Sequence, residues 1–255
     1  MAVASPLPAT FVAGVSLDQP WQPLAECGAD NPFFYHTFSD DFDPYRSTDY
    51  TPTISGTGAA IAAVAGDGGI VQFTTGSTAG VISLQRGVAV YTVNSQPKKV
   101  FYEARLQMSA WATAGVTGVF GLIQTTTTPG TVTDGVYFTL SAAGALAINS
   151  AVGSVITTVA IPTSAYTLTA NQPIDIAFYI NRNGDVLAYV DSSLVGYITQ
   201  NLTGTAGNPN GSGPVARIVA PTLTTAVLNP TLALIQAGTT VVTLKSDFQQ
   251  VQKER

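Results

Sequence analysis

The side chains that could carry catalysis are few in this sequence. It contains one histidine, His36, one cysteine, Cys27, and three glutamates, Glu26, Glu103 and Glu254. A serine or cysteine nucleophile needs a histidine base beside it, and the aromatic residues around His36 favour a packing role instead. Retaining glycoside hydrolysis needs two carboxyl groups about 5 Å apart, but the Glu-x-Asp-x-x-Glu pattern of sandwich glycosidases is absent. We therefore expect a protein that is not an enzyme, with a glycosidase as the weakest alternative.

Metal ligands are equally sparse, because no His-Glu-x-x-His or Cys-x-x-Cys motif occurs. The densest acidic cluster is Asp40-Asp41-Phe42-Asp43. Calcium prefers several oxygen ligands, but Phe42 and Pro44 interrupt the spacing of a calcium loop. We interpret the cluster as a solvated turn or strand start and expect no cofactor, while Ca²⁺ binding there stays open. A single cysteine also excludes an internal disulfide framework.

The composition excludes several classes of partner. Charged residues make up 10% of the chain, the formal net charge is −5 and the sequence pI is about 4.6. Nucleic-acid binding needs clustered Lys and Arg, and no stretch offers the ~18 continuous apolar residues of a spanning helix. We therefore expect neither a nucleic-acid partner nor a membrane. The N-terminus lacks the basic region of a secretory signal, so we expect that the protein is made and used without Sec export.

Residues 1–36 differ from the rest of the chain and predict an extended N-terminal arm. Proline fixes φ and removes a backbone donor, and five prolines interrupt this segment, which could span roughly 120 Å when fully stretched. Its apolar side chains are too many for a solvated tail, so it should dock either on its own domain or on a partner. The residues predicted to be buried interface anchors are Phe11, Trp21, Phe33 and Phe34.

The remaining residues, 37–255, predict one all-β domain. Between Lys99 and Ala110, apolar residues alternate with Phe101, Glu103, Arg105 and Gln107, which is the period of a half-buried strand. Glu103 and Arg105 share a face there and suggest an ion pair. A hairpin is predicted at Asn183-Gly184, because both residues tolerate positive φ. Many short strands, frequent turns and no helical period together predict a two-sheet jelly-roll sandwich.

The predicted exterior of this domain is uncharged to an unusual degree. No charged side chain occurs between Gly135 and Ile174, where the polar residues are mainly Thr and Ser. A free monomer usually places charge on such strands to protect their edges, and interface cores are depleted of charge. The pattern favours a protein that acts through its surfaces within an assembly.

Several segments occur in an order and spacing that is similar to a known group: Phe38–Asp43, Gly66–Gly76, Lys98–Arg105, Thr133–Phe138 and Asn183–Asp191. Over roughly residues 38–250 the chain resembles tailed-bacteriophage head decoration proteins with a concanavalin-like (laminin-G-like) jelly roll. The order carries the resemblance, since no single segment is diagnostic, and the arm falls outside it.

The resemblance implies a function as a structural cement protein on the exterior of a phage head. Its expected partners are the major capsid protein and further copies of itself, with a homotrimer as the expected oligomer. The protein would be made in the host cytoplasm and would act on the virion. The alternative is a carbohydrate-binding sandwich module on the virion or a tail fibre, which would bind a glycan on its outward face. Tyr166, Tyr189 and Tyr197 are the aromatic residues suggested for such a sugar site.

Overall fold

A computed structural model describes residues 35–43, 45–65, 69–93, 98–199, 216–219 and 223–254. Within these ranges the chain contains strands and two short 3-10 turns, at Ser47–Asp49 and Thr163–Ala165, but no α-helix. No helix of the described part therefore has the length and apolar character needed to cross a bilayer. The all-β prediction is confirmed.

Two sheets pack face to face. Sheet I has nine strands in the order β15-β14-β13-β12-β7-β17-β4-β3, with β1 also paired to β17; sheet II has eight in the order β11-β10-β9-β8-β16-β5-β2, with β6 paired to β16. All pairs are antiparallel except β14 with β15. The strand bounds are β1 (Tyr35–Asp40), β2 (Tyr50–Ile54), β3 (Ala60–Val64), β4 (Ile70–Thr74), β5 (Gly80–Arg86), β6 (Tyr91–Thr92), β7 (Val100–Met108), β8 (Val116–Ile123), β9 (Gly135–Leu140), β10 (Leu146–Val152), β11 (Val155–Ala160), β12 (Pro173–Ile180), β13 (Val186–Val190), β14 (Ser193–Thr199), β15 (Ala216–Val219), β16 (Val227–Gln236) and β17 (Thr243–Glu254).

The core lies between the sheets and is built from every second side chain along the strands. In β7 the inward residues are almost fully buried, as the sequence predicts: Val100, Tyr102, Ala104, Leu106 and Met108. A stack of aromatic rings joins the two sheets at the centre of this core. Phe178 of β12 lies parallel to Tyr102 with ring centroids 5.0 Å apart, and it also contacts Phe138 of β9 in the opposite sheet at 6.4 Å.

The predicted ion pair between Glu103 and Arg105 is wrong. Arg105 contacts Asp175 at 3.5 Å and Asp247 at 3.8 Å, while Glu103 accepts a hydrogen bond from the Gln250 amide at 2.6 Å. Residues two apart on one strand are separated by nearly 7 Å, whereas directly opposed cross-strand residues lie about 5 Å apart. Arg105 is registered opposite Asp175, and Glu103 opposite Gln250, so the cross-strand partners are closer.

The predicted hairpin at Asn183-Gly184 joins β12 to β13, but its backbone differs from the prediction. Gly184 has a φ of +83°, whereas Asn183 is not among the residues with positive φ. The Asn181 side chain accepts hydrogen bonds from the backbone N–H groups of Asn183 and Asp185, at 2.8 and 3.0 Å. This local bonding favours a longer loop over the two-residue turn that the Asn-Gly pair suggested.

One side of the sandwich is formed by the edge strands β2 and β3. No charged residue occurs from Thr51 to Ala65, a range that includes nearly all of both strands. Edge strands usually carry charge, proline or a bulge that discourages pairing with another chain. Strand β2 contains Pro52, but β3 has the sequence Ala-Ile-Ala-Ala-Val and offers none of these protections. We refer to Ala60–Val64 as the unprotected edge.

Candidate functional site

An open cleft of about 750 Å³ lies where the chain passes from sheet I to sheet II. Its walls come from the end of β1, the loop that contains the first 3-10 turn, the start of β2 and the segment after β5. The lining is mainly polar, with carboxylates, guanidinium groups and hydroxyls beside a few apolar side chains: Phe38, Ser39, Asp40, Asp43, Arg46, Thr48, Asp49, Tyr50, Thr51, Arg86, Gly87, Val88 and Val90. We call this the rim cleft.

A tight turn after β1 shapes the rim cleft. Asp40 accepts a hydrogen bond from the Phe42 N–H at 2.7 Å through one carboxylate oxygen, and from the Tyr50 hydroxyl through the other. Phe42 adopts a φ of +58° and is 1% exposed, so its ring is inserted into the core. Asp41 and Asp43 remain exposed. The acidic cluster therefore forms a turn, as the sequence predicts.

Gly69 is the residue against which this turn packs. It has a φ of +80°, and a Cβ atom there would lie 2.6 Å from the Phe42 carbonyl carbon and 2.7 Å from Asp43. A side chain at this position would displace the turn, because the contact is with backbone atoms. A glycine between β3 and β4 thus allows one wall of the cleft to form.

The guanidinium group of Arg86 lies at the other wall. Its central carbon is 4.4 Å from the centroid of the Phe38 ring, which is a cation–π geometry. Burial raises the pKa of the nearby Tyr91 to about 12, and Arg86 acts on it in the opposite direction. Burial and the bond to Asp40 also raise the pKa of Tyr50 above its ordinary value. Both hydroxyls are therefore neutral donors at physiological pH.

The charged side chains at the mouth of the cleft face solvent. Asp43, Arg46 and Asp49 are exposed, and no salt bridge within the described ranges joins these three groups. Donors and acceptors of both signs are therefore available to a ligand. No group of three or more metal-binding side chains occurs in the described part of the chain. The chemistry of the cleft suits a polar ligand that carries many hydroxyl groups.

A second set of functional groups lies on the outward face of sheet I. Phe101, Tyr179 and Tyr189 form an apolar cluster there, which we call the outer-face cluster. Next to it, burial raises the pKa of Glu103 to about 7, and burial also raises the pKa of Asp175, against the effect of Arg105. Glu103 contacts Gln250 and Asp175 contacts Arg105, so these side chains form a polar network across neighbouring strands.

The structure leaves the interface anchors predicted from the sequence untested. The four anchors, Phe11, Trp21, Phe33 and Phe34, lie outside the described residues, as does Cys27. His36 is exposed on β1 opposite Lys253, where it has an interaction partner.

Two of the three tyrosines suggested for a sugar site share one face of sheet I, and the third lies elsewhere. Tyr189 and Tyr197 lie on the outward side of sheet I, on β13 and β14. Tyr166 follows the second 3-10 turn, and its hydroxyl accepts a hydrogen bond from the Leu146 N–H at 2.9 Å. No sequence pattern points to Arg46, Asp49 or Arg86, because the cleft unites segments that are distant along the chain.

No protein family and no curated protein matches the chain by sequence. Solved structures do match it by shape. A β-glucanase from Bacillus licheniformis has a TM-score of 0.56 at 11% identity, with 84% of this chain and 97% of the glucanase covered. An endo-1,3-β-glucanase from Streptomyces sioyaensis has a TM-score of 0.56 at 13% identity, with 89% of this chain and 99% of the glucanase covered. A cellulose-induced protein, Cip1, has a TM-score of 0.53 at 14% identity, with 84% of this chain and 96% of Cip1 covered.

At these identities the likeness shows the fold and nothing finer. The chain is a two-sheet jelly-roll sandwich of the architecture that these glucanases share. The fold class predicted from the sequence is confirmed. Function has to be argued from the site, because one fold hosts many activities.

Proposed function

We propose that this protein is a carbohydrate-binding β-sandwich module that binds a glycan in the rim cleft without cleaving it. The observation that carries the proposal is the lining of the cleft: exposed carboxylates and guanidinium groups surround hydroxyls and a short apolar wall. Saccharides offer many hydroxyl groups and weakly apolar ring faces, so they match a polar cleft better than an apolar ligand would. The names of similar folds add support, since two of them are glucanases.

The non-catalytic part of the proposal comes from the carboxyl groups. Retaining and inverting hydrolysis both require a pair of carboxyl groups across the bond, one of them with a raised pKa. The described carboxyl group with the largest rise is Glu103, whose pKa is about 7. Glu103 lies on the outward face of sheet I and not in the rim cleft. The carboxylates of the cleft are therefore assigned to hydrogen bonding with sugar hydroxyls.

The proposal predicts that Arg46→Ala and Asp49→Ala each weaken glycan binding at least tenfold. Each change removes a charge-assisted hydrogen bond, worth about 1.5–3 kcal/mol. Both side chains are exposed, so the fold should tolerate their loss. A glycan array would identify the ligand, and isothermal titration calorimetry would then measure its affinity for each variant.

Asp41→Ala is the matched control, because Asp41 is an exposed aspartate of the same loop that does not line the cleft. It should bind the glycan like the wild type. The cleft would be refuted as a sugar site if no glycan of the array bound at millimolar concentration. The same holds if Arg46→Ala and Asp49→Ala bound the glycan as tightly as Asp41→Ala does. Release of reducing sugar from a β-glucan would refute the non-catalytic assignment.

A second candidate is the structural role in a virion, as a decoration protein on a phage head that contacts the major capsid protein and its own copies. The unprotected edge favours it, because an uncharged edge strand is a ready surface for pairing with another chain. The edge residues Ala60, Ala62 and Ala63 are exposed and small enough to permit close approach.

This candidate predicts that the purified chain self-associates, with a trimer as the expected form. Ala62→Lys should shift the protein towards monomer, because a lysine on an edge strand opposes strand pairing. Ala143→Lys, in the exposed turn after β9, is the control and should leave the oligomer intact. Light scattering coupled to gel filtration measures the mass, and a wild-type monomer that does not co-sediment with phage heads would reject the candidate.

A further inference from the structure

The outer-face cluster is buried although it belongs to the outward side of sheet I. Phe101 is 2% exposed, and Tyr179 and Tyr189 are each 5% exposed. The inward residues of the same strands belong to the main core between the sheets, whereas these three rings form a separate cluster. A ring on the outward side of a sheet loses its contact with water only when something lies over it.

The apolar side chains described beside the cluster do not supply that cover. The apolar side chains that pack against it are Ala177 of β12, Leu187 of β13 and Leu194 of β14, which share the same face of the same sheet. Sheet II offers a contrast. Its outward cluster, which contains Tyr137, includes Val132 from the loop between β8 and β9, so there a described segment folds back over the sheet.

The cover extends as far as Glu103 and ends near Arg105. Both residues point outwards on β7, two positions apart. Burial raises the pKa of the Glu103 carboxyl, whereas the Arg105 side chain is 46% exposed. The covered area is therefore the half of sheet I that runs from the middle of β7 across β12, β13 and β14.

The N-terminal arm joins the described part of the chain beside this area. Tyr35, the first described residue, is paired with Glu254 of β17, and Gln252 of β17 is paired with Phe101 of β7. Neighbouring strands lie about 4.8 Å apart, so residue 35 is about 10 Å from the strand of Phe101 and about 24 Å from β14. Roughly seven extended residues cross that distance, so the arm is long enough several times over.

We propose that residues 1–34 dock across the outer-face cluster of their own chain and bury it. The chemistry of the arm fits this surface, because it carries Phe11, Trp21, Phe33 and Phe34 as large apolar side chains. The segment 200–215 also joins a strand at this side of the sheet, but it contains no aromatic residue. Prolines of the arm reduce its conformational entropy when it is free, which lowers the cost of docking.

Hydrogen–deuterium exchange followed by mass spectrometry tests the proposal on the full chain. Amides of residues 1–34 should exchange at least tenfold more slowly than free-peptide rates. Leu187→Asp places a charge within the covered area and should return the arm to free-peptide rates, while the exchange of β8 and β16 stays unchanged. Leu194→Ser is a milder second variant and should give the same change if Leu187→Asp fails to fold.

Val241→Asp is the matched control, because it adds the same charge at an exposed apolar residue of the loop before β17, away from the cluster. It should leave the arm protected. Three results would overturn the proposal: a wild-type arm that exchanges at free-peptide rates, protection that survives substitution of the cluster, or protection that disappears on dilution, which would mean that a second copy supplies the arm. Glycan binding by the rim cleft is measured separately, so either proposal can fail without the other.

Discussion

Phe178→Ala is expected to lower the free energy of unfolding by about 3–5 kcal/mol, the range for removal of a buried phenylalanine side chain. Phe178 is fully buried, and it stacks on Tyr102 of its own sheet and contacts Phe138 of the opposite sheet. Truncation therefore leaves a cavity at the point where the two sheets are joined. Urea denaturation followed by circular dichroism measures the change.

Phe248→Ala serves as the comparison for this variant. Phe248 belongs to sheet I but lies on β17 opposite Arg105, on the outward side, and is only partly buried. Its loss should cost about 1 kcal/mol or less, because the site stays open to water and no cavity forms. Equal destabilisation by the two variants would contradict the assignment of Phe178 to the centre of the core.

Gly121→Ala is expected to destabilise the protein by about 3 kcal/mol, at the upper end of the cost of overpacking. A Cβ atom at Gly121 would lie 2.6 Å from the Tyr137 Cα and 2.6 Å from the Val136 carbonyl oxygen. These are backbone atoms of β9, so no side-chain rotation relieves the clash and β8 must separate from β9. The φ of +152° at Gly121 adds strain for any residue with a side chain.

Gly130→Ala is the matched control for that substitution. A Cβ atom at Gly130 would meet only the Ile235 side chain at 3.7 Å, an ordinary contact. Thermal unfolding should show a drop of several degrees in Tm for Gly121→Ala and little change for Gly130→Ala. A Gly121→Ala protein with the wild-type Tm would show that the two strands are less closely packed than the structure describes.

Much of the fold was predictable from local patterns. Strand β13, Val186–Val190, has the bounds that the sequence predicts, and β7 and β12 differ from their predictions by one or two residues. These strands are half-buried, so the alternation of apolar and polar residues records which side faces the core. The prediction for β7 names the inward and outward residues correctly.

Other strands were missed because their positions follow from tertiary structure. Strand β2 contains Pro52, which argues against a strand in a sequence but is tolerated on a sheet edge. Strand β1 begins at Tyr35, inside the stretch that the sequence assigns to the arm, and it is held by pairing with β17 at the far end of the chain. No local pattern reports a pairing between residues so far apart.

The rim cleft could not be predicted for the same reason. Its cation–π contact joins Phe38 to Arg86, and its turn depends on the approach of Gly69 to Phe42. Each of these residues is unremarkable within its own segment. The acidic cluster at Asp40 is visible in the sequence, but no local pattern indicates that arginines from other segments line the same cleft.

The pairing of β1 with β17 has a mechanical consequence. Tyr35 and Glu254 are directly opposed at the same end of an antiparallel pair. A force applied between these two residues pulls perpendicular to the strands, so it breaks the interstrand bonds one after another instead of shearing them together. The sandwich therefore resists tension poorly when it is held by these two points, and β1 is the strand that peels away first.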